Sequence, residues 1–66
     1  MDYEFRFFQG RALRAVHVTA MDNDTDACER ARLYLRKSPE SSHVEVRRGF
    51  HFMRRIDSDF VPGENL

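Results

Sequence analysis

Sixty-six residues allow one domain, and a chain this short buries only about 60% of the surface its unfolded form exposes, which excludes a core wrapped around a deep, walled enzyme pocket. Eleven basic and eleven acidic side chains cancel, which excludes a global field drawing the molecule to nucleic acid or an anionic membrane. The balance is local: all eleven basic residues, ten of them Arg, precede Asp57 and meet only eight acidic ones there, an excess of three positive charges over residues 1–56.

Residues 3–8 place Tyr3, Phe5 and Phe7 at period two with Glu4 and Arg6 between them, the alternation of a half-buried strand. Phe8 departs from it and sets an aromatic on the outer face. Gln9-Gly10-Arg11 predicts a turn, and residues 13–19 a second strand with Val16 and Val18 on one face and Ala15, His17 and Thr19 on the other. The two strands form a hairpin. Residues 21–26 are rich in helix-capping side chains, with Asn23 or Asp24 as the cap and the acids suited to the positive end of a helix dipole. Ala27, Cys28, Ala31, Tyr34 and Leu35 then recur at three-and-four spacing, and Ser38-Pro39 stops the helix.

Past Glu40-Ser41-Ser42, residues 43–47 put Val44 and Val46 on one face and Glu45 on the other. Arg48-Gly49 predicts a turn and residues 50–56 a fourth strand in which Phe52 and Ile56 share a face. Two hairpins about one helix bury their apolar faces most simply as an α+β domain, ββαββ, over residues 1–56: a four-stranded, mainly antiparallel sheet with the helix on one side. Strand order stays open, although a right-handed crossover sets an early strand beside a late one in the centre. Residues 57–66, with Pro62-Gly63 and no periodicity, are expected to be a disordered tail.

Cys28 is alone, so no intramolecular disulfide can staple the fold. Neither a signal-peptide run nor a stretch of about 18 apolar residues occurs, and the expected location is the cytoplasm. His17, Cys28, His43 and His51 lack the close pairing of metal ligands, so no metal or other cofactor is expected; only His43 and His51 could meet, across the second hairpin. Cys28, on the apolar helix face, has no visible base to activate it. Asp22, Asp24 and Asp26 alternate like calcium ligands, but Ala27 and Leu33 stand where such a loop needs Gly and Glu, and helix capping accounts for them.

Arg48-Gly49-Phe50-His51-Phe52-Met53 resembles the first ribonucleoprotein signature of RNA-recognition motifs, a fold whose aromatics stack on bases from an open sheet face. It departs at His51, where that signature has a small residue, and at Arg55, where it has an aromatic; the chain is also too short for the whole motif. Over residues 1–56, the aromatic first strand, the helix start Asn23-Asp24-Thr25-Asp26-Ala27 and Val44-Glu45-Val46 followed by Gly49 and Arg54-Arg55-Ile56 resemble a group of short uncharacterised alphaproteobacterial proteins. That group carries tryptophan where Arg47 stands and fewer aromatics than Phe50-His51-Phe52. The resemblance implies a ββαββ fold and no activity, cofactor or catalytic residue.

An aromatic surplus without catalytic polar groups predicts a non-enzymatic interaction domain. Its expected surface is the sheet face or edge opposite the helix, with Phe8, Arg47, Arg48, Phe50, Phe52, Arg54 and Arg55 as contact residues. Phe8 and Phe50 would form an apolar patch if they share the outer face, and self-association, as a homodimer, is its simplest use. The alternative is weak nucleic-acid binding by the aromatics and arginines of the second hairpin.

Overall fold

The computed structural model describes residues 1–58, in the order β1 (Asp2–Gln9), β2 (Ala12–Ala20), α1 (Asp24–Arg36), β3 (His43–Arg48) and β4 (His51–Asp57). The strands form one antiparallel sheet in the order β2-β1-β3-β4. This is the ββαββ architecture expected, with an early and a late strand side by side in the middle. The expected disordered tail falls largely outside the described residues; β4 itself runs to Asp57.

The same hairpin is built twice. Each turn holds two residues, Gly10-Arg11 and Gly49-Phe50, and each glycine takes φ of +60° while its successor keeps negative φ, the pattern of a type II′ turn matched to strand twist. Each second strand then carries one extra residue at its third position. Phe7 pairs with Ala15 and Phe8 with Leu13, so Arg14 is the bulge of β2; Val46 pairs with Arg54 and Arg47 with Phe52, so Met53 is the bulge of β4.

An inserted residue reverses the facing of everything beyond it. Beyond Met53, Ile56 turns inward opposite Val44 and is buried, while Phe52 on the turn side of the bulge faces out opposite Arg47 and is exposed. Phe52 and Ile56 therefore lie on opposite faces, against the expectation that they share one. Phe50 lies in the turn rather than in the strand.

Tyr3, Phe5 and Phe7 of β1 and Val44 and Val46 of β3 line the inner face, where Ala27, Ala31 and Leu35 of α1 and Ile56 of β4 complete the core. Ala27 and Ala31 are fully buried in that core. Burying each large side chain contributes on the order of 2 kcal/mol. Tyr34 reaches sideways, its ring 5.4 Å from Phe5 in edge-to-face geometry and 5.6 Å from Phe7.

Asn23 is the helix cap, its side-chain oxygen accepting from the Asp26 N–H at 2.8 Å. Asp24 Oδ1 accepts from the Tyr3 hydroxyl at 2.5 Å and from Arg48 Nη1 at 3.0 Å, which ties the start of α1 to β1 and β3. At the other end the Lys37 N–H donates to the carbonyls of Leu33 and Tyr34, and Pro39 follows. The helix thus lies along β3 and β4, and β2 has no buried residue.

Candidate interaction surface

The outer sheet face has a charged centre and an apolar border. Glu4 and Arg6 of β1, Glu45 and Arg47 of β3, and Arg55 and Asp57 of β4 point outward two residues apart on their strands and pair along them. Arg6 bonds Glu4, Arg47 lies 3.8 Å from Glu45 and Arg55 lies 2.8 Å from Asp57. Exposed pairs of this kind add at most about 1 kcal/mol each. Their larger consequence is that these guanidinium groups already have carboxylate partners.

The expected contact residues do not gather on one surface. Arg47, Phe52 and Arg55 share the outer face, but Arg48 and Arg54 stand in register with Tyr3 and Val46 on the helix side, where Arg48 is bonded to Asp24. Phe50 is 98% exposed at the β3–β4 turn. Phe8 lies at the other end of the sheet, half-buried and stacked on His43 with ring centroids 4.7 Å apart. Phe8 and Phe50 form no joint patch, because β1 and β3 run antiparallel and carry them to opposite ends.

The histidines also separate. His43 pairs with Asp57 and His51 with Arg48, at opposite ends of the second hairpin, so they do not meet. His43 is buried rather than facing solvent: Phe8 covers its ring, and Ser42 Oγ lies 3.1 Å from its Nδ1. Among the described residues no three His, Cys, Asp or Glu side chains are placed to hold a metal ion. Cys28 is a free, half-buried thiol on the helix. No helix of the described residues is long and apolar enough to cross a membrane.

Strand β2 is the surface that sequence reasoning missed. The Arg14 bulge turns Val16 and Val18 outward, opposite Arg6 and Glu4, and Leu13 joins them beside Phe8; all three are exposed, Val18 to 66%. A bulge-free hairpin about Gly10-Arg11 would set Val16 opposite Phe5 and Val18 opposite Tyr3, inside the core. Only the extra residue expels them, and no residue type near Arg14 announces it. On the helix side, His17 packs its ring 5.1 Å from Phe7 and 5.8 Å from Tyr34, at one wall of an open groove of about 400 Å³ with Arg14 and Lys37 at its rim.

The backbone of β2 is equally open. Met21 N–H donates to the Met1 carbonyl across from it, and pairs in an antiparallel ladder alternate between bonded and non-bonded. Tyr3/Thr19, Phe5/His17 and Phe7/Ala15 are then the bonded pairs, and Val16, Val18 and Ala20 direct their N–H and C=O groups away from β1. Among the described residues no strand lies there to receive them. Comparison with family models, with curated proteins and with solved structures finds no match for this chain.

Proposed function

We propose that this domain is a non-catalytic interaction module whose contact surface is the β2 edge with its outward apolar row, Leu13, Val16 and Val18. The observation that carries this reading is an edge strand of nine residues that exposes apolar side chains and backbone groups with no strand partner together. Such an edge is a template for another strand, and natural sheets normally blunt it with charge, proline or a covering element. Affinity capture from nuclease-treated lysate, with wild type beside Val18→Lys, tests the reading. Partners held by wild type and lost by the variant are expected; the same set on both baits would overturn it.

A second reading, weak binding of single-stranded nucleic acid, draws on one observation: Phe50 and Phe52 are exposed near Arg47. The carboxylates already paired with Arg47, Arg48 and Arg55 oppose it. Amide shifts on residues 47–55 that appear with a short oligonucleotide and fade steeply with salt are what this reading requires. Their absence at low salt removes it.

A further inference from the structure

We propose that the occupant of the β2 edge is the β2 edge of a second copy, paired antiparallel about a two-fold axis at Val18 to give a continuous eight-stranded sheet. This rests on the interaction reading above and names its partner.

Three features of the edge select the second copy and the register. First, β2 is regular only between the Arg14 bulge and the end of the strand at Ala20, so a ladder must lie within residues 15–20. Second, the outward backbone groups belong to Val16, Val18 and Ala20. A two-fold at Val18 uses all of them: Val18 meets Val18, and Val16 meets Ala20 of the second copy, each pair exchanging both N–H···O=C bonds. A two-fold at His17 would leave Ala20 opposite the bulge and set two His17 rings against each other. A two-fold at Val16 would run the ladder into the bulge on both sides.

Third, the charges agree with that register. The stretch between the bulge and Asp22 contains no Lys, Arg, Asp or Glu. Antiparallel pairing about Val18 brings Arg14 of each copy, just outside one end of the ladder, to the end where Asp22 of the other lies. Neither residue has an ion-pair partner among the described residues, so both are free to pair across the axis. A two-fold at His17 sets Arg14 against Ala20, and one at Val16 sets it against Val18. Exposed ion pairs contribute little to affinity, so the two together choose the register more than they hold it. On the outer face Val16, Val18 and Ala20 of both copies become one contiguous apolar row, and on the helix side His17 stands beside Thr19 of the second copy.

The other edge does not offer the same contact. The positions of β4 that match Val16 and Val18, counted from the turn, are Arg55 and Asp57, and pairing β4 with itself would have to accommodate those charges. The sheet therefore closes by one edge, and the assembly stops at two copies instead of growing into a filament.

Sedimentation equilibrium from micromolar to millimolar protein tests the proposal, with circular dichroism confirming the fold of each variant. Wild type is expected to show a monomer–dimer equilibrium. Val18→Lys, which sets two ammonium groups on the axis, weakens it at least tenfold. Arg14→Asp and Asp22→Arg each weaken it several-fold, and the double charge swap restores it. In a Cys28→Ser background, Val18→Cys oxidises to a covalent dimer and Val16→Cys does not. Wild type that stays monomeric at millimolar concentration overturns the proposal, as does Val18→Lys that dimerises like wild type, or a double swap weaker than either single variant. Monomeric wild type that still holds partners sensitive to Val18→Lys removes only the second copy; monomeric wild type with no such partner removes the interaction reading too.

Discussion

The two edge strands are the same construction with opposite results. Both follow a two-residue turn opened by a glycine at φ +60°, and both carry a bulge at their third residue. Position by position from the turn, Leu13, Val16, His17 and Val18 of β2 correspond to Phe52, Arg55, Ile56 and Asp57 of β4. On β4 the bulge swings an isoleucine under the helix and leaves an arginine and an aspartate outside, paired with each other. On β2 it swings a histidine to the inner side and puts two valines in water. A bulge is thus neutral hardware. The residues that follow it decide whether an edge is anchored and guarded or left open.

The largest effect that could break this comparison is a truncation on each edge. Ile56→Ala removes a buried side chain from contact with Val44 and the helix and is expected to cost about 3 kcal/mol of unfolding free energy. Val16→Ala removes an exposed one and is expected to stay within about 0.5 kcal/mol, measured in urea at low micromolar concentration so that association does not contribute. Similar costs at both sites would mean that β2 is packed as β4 is, and that its edge is not open.

The architecture was legible because it rests on strong periodic signals. Tyr3, Phe5 and Phe7 at period two, the capping cluster around Asn23 and the three-and-four spacing of Ala27, Ala31 and Leu35 each point to one element type, and the structure bears out each. The candidate surface was less legible, for one physical reason. Facing along a strand has period two, so a single inserted residue inverts every later side chain, and neither Arg14 nor Met53 signals an insertion. Hence Phe52 and Ile56 part company, and Val16 and Val18 emerge as surface although their composition suits a core.

A smaller effect sharpens the likeness of the hairpins. Gly10 and Gly49 have the same φ, and an added Cβ would meet no atom within 4 Å at either, so only backbone conformation penalises a substitution. Gly10→Ala and Gly49→Ala are each expected to cost about 1 kcal/mol by thermal or urea unfolding. Equal costs support two copies of one turn design; a free substitution at Gly10 would show that the first hairpin tolerates another turn, loosening the register on which the β2 face depends.

The smallest effect concerns what draws the helix away from β2. Asp24, at the first turn of α1, is held by the Tyr3 hydroxyl and by Arg48, so the helix start is fastened over β1 and β3. The hydrogen bond to the Asp24 carboxylate, with burial adding to it, raises the Tyr3 hydroxyl above its ordinary value near 10. The sign follows from linkage: the fold holds a proton that the unfolded chain releases near pH 10. The stabilisation is therefore complete below that pH and is lost as pH climbs through the raised value. Tyr3→Phe lacks the titrating proton, so the stability gap between wild type and this variant should be flat from pH 7 to 9 and move in favour of the variant above pH 10. Every other side chain is common to the two proteins, so the difference isolates Tyr3. Urea midpoints for the pair across pH 7 to 11 decide it. A gap that stays constant to pH 11 would show that the Tyr3–Asp24 bond does not fasten the helix, leaving the buried Ala27 and Ala31 to place it over β3 and β4.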